Sequence, residues 1–141
     1  MRPTLYVELV DRLVDAVIED DRARALWIEG ETLQQLRRPF GRVRVHLDAD
    51  EPAFPELVEG LENLLSGISV KVSAPRWSDT IRNARQLDAS IEIQTDGDPL
   101  QGEITFVVEC SAFLAKRRRK AVLPIVDKTT HLTHVMDFSR D

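Results

Sequence analysis

The chain is poor in the residues that most often announce a chemistry. It has one cysteine, Cys110, in 141 residues. That excludes an intramolecular disulfide and suits a reducing compartment. No apolar run approaches the roughly 20 residues that a membrane-spanning helix needs, and the first residues lack the pattern of a signal peptide. A cytoplasmic location is the expectation. Only three histidines occur, and there is no Cys-x-x-Cys. His131 and His134 stand three apart, so on a strand they face opposite sides. Structural zinc wants four good ligands, and no metal or cofactor is expected. Walker-type loops, dinucleotide fingerprints and Gly-x-Ser-x-Gly are missing too. Cys110 has no base partner visible in the sequence and reads as a small core residue. Positive charge is also short: 19 Lys and Arg against 24 Asp and Glu give a formal charge of −5. That balance does not favour a dedicated nucleic-acid binder.

What remains is an ordinary globular composition, 43% hydrophobic and 30% charged. It predicts a single domain over 1–141, long enough to bury a sizeable core, with 103–141 as a β-rich and basic extension. Leu9, Val10, Leu13, Val14, Val17 and Ile18 recur at helical spacing and predict a helix over 5–20. Ala25 to Glu29 reads as a strand, with Leu26 and Ile28 in the core. Trp27 points the other way, as packing or as a neighbour of a site, with packing preferred. Arg42 to Leu47 alternates cleanly: Val43, Val45 and Leu47 on one face, Arg42, Arg44 and His46 on the other. Phe54 to Leu65 gives a second amphipathic helix, with Gly67 placed as its cap and Gly60 a liability of about 1 kcal/mol inside it. Ile68 to Val72, Leu87 to Ile93 and Ile104 to Val108 alternate as strands. The stretch 74–86, with Pro75 and Trp77, reads as a break with a short helical turn from Asp79. Val122 to Val126 and Leu132 to Met136 predict a hairpin. Helices separated by alternating strands argue an α+β layer, a mixed sheet covered by helices.

The run from Ala25 to Asp48, A-L-W-I-E-G-E-T-L-Q-Q-L-R-R-P-F-G-R-V-R-V-H-L-D, resembles the signature region of the DNA-polymerase-beta-like nucleotidyltransferases. The likeness is to the small bacterial members related to aminoglycoside nucleotidyltransferases. Those have a helix, a strand ending in Gly-Ser, a short helix, and a strand carrying Asp-x-Asp. Here the frame occurs in order over roughly the first hundred residues, but Glu31 stands at the serine, and Arg42 and Arg44 stand at the two aspartates. The resemblance implies that those carboxylates hold magnesium, a hard cation that takes oxygen ligands. Arginine donates only and cannot coordinate a metal. The resemblance thus implies a nucleotidyltransferase-like fold whose catalytic pair is gone. The family's third carboxylate is matched by Asp88, with an ion pair to Arg42 or Arg44 preferred over ligand binding. The family's separate substrate domain has no counterpart in the residues after Gly102.

Three functions follow. The favoured one is a catalytically inactive domain serving as a binding or protein-interaction module, alone as a homo-oligomer or with a partner protein. The second is a metal-free nucleotide or phosphate binder, with Gly30, Arg42, Arg44 and His46 around the anion and Glu31 opposing it. The third is an enzyme with a metal site rebuilt from Asp88, Glu29 or Glu31. The run Lys116, Arg117, Arg118, Arg119, Lys120 reads first as the solvated end of a helix, then as a protein contact, and last as a nucleic-acid patch.

Overall fold

The computed structural model describes residues 5–29, 43–81, 84–110 and 122–128. Two helices pack on a six-stranded mixed sheet: α1 (Leu5–Glu19), β1 (Ala25–Glu29), β2 (Val43–Ala49), α2 (Phe54–Gly67), β3 (Val70–Ile81), β4 (Ala84–Ile93), β5 (Leu100–Cys110) and β6 (Val122–Asp127). The strand order is β3-β4-β5-β2-β1-β6. β2 and β5 run parallel, and every other neighbouring pair is antiparallel. A parallel pair needs a long crossover. Here α2 and the β3–β4 hairpin supply it.

Most of the apolar positions foreseen by helical spacing and alternation form one core, but Ile18, foreseen on the stripe of the first helix, is exposed. Leu9, Leu13 and Val17 of α1 and Leu57, Leu61 and Leu65 of α2 are buried against Leu26, Ile28, Val45, Leu47, Ile104, Phe106 and Val108. Burying each such side chain contributes roughly 1.5–3 kcal/mol. Both helices therefore lie on the same side of the sheet. None of the helices among the described residues is long and apolar enough to cross a membrane.

Arg12 ties α1 to the rest. Its guanidinium donates to the carbonyl of Ile68 at 3.0 Å and to that of Gln94 at 2.6 Å, and pairs with Glu8 at 3.1 Å. At the opposite end, Arg22 pairs with Asp20 at 2.7 Å and reaches the Glu56 carbonyl at 3.3 Å. A side-chain Cβ at Gly60 would run into that guanidinium. The helix-interior glycine thus makes room for an arginine.

Two expectations are corrected. Gly67 closes the last turn of α2 but does not cap it. Ile68 is the C-cap, and Ser69, at φ 62°, takes the left-handed conformation. The stretch after Val72 is not a break with a helical turn: β3 continues to Ile81. A bulge between Ser73 and Arg76 absorbs Pro75, with Ala74 at φ 51°. Proline has no N–H to give a ladder and is tolerated at bulges and on edge strands. The strand foreseen over Val122 to Val126 is present as β6, pairing antiparallel with β1 on the far side from β2. The hairpin partner foreseen for it, 132–136, lies outside the described residues, as does the short helix foreseen after Gly30.

Candidate functional site

The sheet has a second face, turned away from both helices, and most of its polar chemistry sits there. Strands lie about 4.8 Å apart, and side chains on one face line up across them in rows. The first row runs Asp127, Ala25, Asp48, Glu109 across β6, β1, β2 and β5. The next runs Trp27, His46, Val107, Gln86 across β1, β2, β5 and β4. The third runs Arg44, Thr105, Asp88, Arg76 across β2, β5, β4 and β3.

Much of this face is closed over. Trp27, His46, Asp48, Thr105, Val107 and Glu109 are all buried. His46 is 1% exposed, and its Nδ1 lies 2.8 Å from Glu109 Oε2. The indole of Trp27 stacks on the imidazole with ring centroids 3.8 Å apart and planes 14° from parallel. A carboxylate on one ring nitrogen fixes the ring's orientation and tautomer. The stacked indole fixes its plane. Among the described residues, Trp27 Nε1 has no hydrogen-bond acceptor.

Asp48 differs from its neighbours. Its carboxyl is fully buried with Arg24 Nε 3.4 Å away, and burial pushes it up to about 7 against the pull of Arg24. Asp127 and Asp50 add to the rise, because like charges disfavour a second anion.

The third row opens outward. Arg44 is exposed, and its register partner Thr105 donates from its hydroxyl to Asp88 at 2.5 Å. Gln86 donates to the same carboxylate at 3.0 Å. Asp88 therefore lies on the face that carries Arg44, but two strands away, with Thr105 between them. His46 shares that face, yet it is buried against Glu109, one row in from Arg44. Gly30, Arg42 and Lys116 to Lys120 lie outside the described residues, as do His131 and His134. Among the described residues no group of three or more His, Cys, Asp or Glu side chains is arranged to hold a metal ion. Cys110 is a free, buried thiol.

Alternation in the sequence places Glu109 on the Thr105–Val107 face of its strand. It does not reveal Glu109 as the partner of His46. That relation depends on the parallel pairing of β5 with β2, set by a crossover of some fifty residues. No family model, curated protein or solved structure matches the chain.

Proposed function

We propose that the chain is a nucleotidyltransferase-like domain without a catalytic carboxylate pair, acting as a binding or protein-interaction module. One observation carries the reading: Arg44, where the resemblance puts a metal-binding aspartate, stands at mid-sheet on the polar face beside Thr105. A guanidinium and a hydroxyl offer hydrogen bonds, not the oxygen anions that magnesium prefers. The succession of α1, β1 and β2, with β5 returning parallel to β2, also suits a nucleotidyltransferase-like frame.

The test is to restore the pair. With Arg42→Asp and Arg44→Asp together, manganese binding followed by calorimetry should appear where the native protein gives none. Native protein that binds manganese, or that passes labelled nucleotide to an acceptor, overturns the reading. So does a folded double variant that gains no ion.

The exposure of Arg44 favours a second reading, a metal-free binder of nucleotide or phosphate. Arginine's planar fork suits phosphate oxygens. Titration with ATP, GTP and pyrophosphate in EDTA tests it; heats at buffer level throughout dispose of it.

A further inference from the structure

One end of the polar face carries a row of three acids, Asp127, Asp48 and Glu109. Ala25 of β1 pairs on one side with Asp48 and on the other with Asp127, so on this face a methyl group is the side chain between the two acids. Asp48 pairs in turn with Glu109. Both Asp48 and Glu109 are fully buried, and neither Asp48 oxygen accepts a hydrogen bond among the described residues. Among the described residues, the charged and titratable groups facing Asp48 are Arg24 before β1, Asp127 on β6, Glu109 on β5, His46 along its own strand and Asp50 just past the strand's end. His46 is engaged with Glu109. Among the described residues, the cation beside Asp48 is Arg24, at 3.4 Å. An ionised carboxylate held dry beside two further acids is costly.

The same place joins three strands by their backbones. Arg24 donates its N–H to the carbonyl of Asp48 at 2.7 Å, and its own carbonyl accepts from Lys128 N–H at 3.1 Å. Lys128 Nζ donates to the carbonyl of Asp20 at 2.8 Å. The end of β6 is thus fixed to a segment that reports directly on Asp48.

We propose that Asp48 is a proton-operated latch where β1, β2 and β6 meet: protonated, it lets β6 lie against β1, and when its proton leaves to solvent the pairing loosens. The inference does not rest on the nucleotidyltransferase reading. Burial raises the Asp48 pKa to about 7. An opened strand end returns it towards the ordinary carboxyl value near 4. The raised value belongs to the closed state, so closure is tightest below the ordinary value. It weakens by up to about tenfold per pH unit as pH rises from there to about 7, then changes no further.

Hydrogen–deuterium exchange on the full chain, corrected for intrinsic rates, tests this over the amides of 122–128. Opening there should be at least about tenfold more frequent at pH 8 than at pH 5, and Asp48→Asn should abolish the difference. An equal pH dependence in the variant overturns the proposal. Should that variant fail to fold, carbon-13 titration of the native Asp48 carboxyl decides instead. A midpoint near 7 supports the latch, and one below 5 overturns it.

Discussion

Trp27 lies flat on His46 while Glu109 holds the same imidazole by its Nδ1, 2.8 Å away. Three strands each contribute one side chain to this contact, and all three side chains are at most 1% exposed. Removing one member of a buried polar pair leaves the other without its partner. Glu109→Ala should therefore lower stability by about 3 kcal/mol, and Glu109→Gln, which keeps an acceptor, by about 1 kcal/mol. Urea unfolding monitored by tryptophan fluorescence measures both. A loss below about 0.5 kcal/mol for the alanine variant would mean that the pair contributes nothing net.

The sequence made the layers legible but not this contact. Helical spacing in Leu9, Leu13 and Val17 and alternation through Val45 and Leu47 identify the core face directly, because one period maps onto one buried stripe. Trp27 was harder. Alternation puts it opposite Leu26 and Ile28, but whether that face is wet or dry depends on tertiary packing. His46 looked like the third member of an arginine face for the same reason. Glu109 lies 63 residues from His46, a separation no local pattern bridges. Pro75 misled in the other direction, since a bulge at Ala74 lets a strand run through it.

Arg12 makes a second measurable case. One planar guanidinium serves two carbonyls, at the end of α2 and the end of β4. A lysine ammonium is compact and cannot span both in fixed geometry. Arg12→Ala should cost about 2 kcal/mol, and Arg12→Lys should recover less than half of that. Full recovery by lysine, in chemical denaturation at matched ionic strength, would show that charge rather than fork geometry matters.

Asp20 gives a prediction on the acid side. Its hydrogen bond with the Arg22 side chain, which outweighs the opposing effect of burial, holds its carboxyl below the usual range. The depressed value belongs to the folded state. The pair's contribution is therefore present above the ordinary carboxyl pKa and is lost as pH falls through the folded one. Arg22 is about a third exposed, so solvent screening keeps that contribution modest, about 1 kcal/mol. Native protein should lose this increment as pH falls below the ordinary carboxyl value near 4, whereas Asp20→Asn should lack it throughout. Parallel stability curves for native protein and variant over that range would rule the contribution out.

Gly60 links that pair to α2. In an isolated helix, Gly→Ala gains about 1 kcal/mol from propensity alone. Here the new methyl would meet the Arg22 guanidinium, which also reaches the Glu56 carbonyl. The guanidinium is the far end of a flexible side chain, so it moves aside, but only by giving up its hold on Asp20 and Glu56. Gly60→Ala alone should therefore leave stability within about 0.5 kcal/mol of native. Combined with Arg22→Ala, where nothing stands in the way, the same substitution should stabilise by about 1 kcal/mol relative to Arg22→Ala. A double-mutant cycle reads the difference directly as coupling between the two positions. Zero coupling would mean that the glycine is there for a reason other than the arginine it faces.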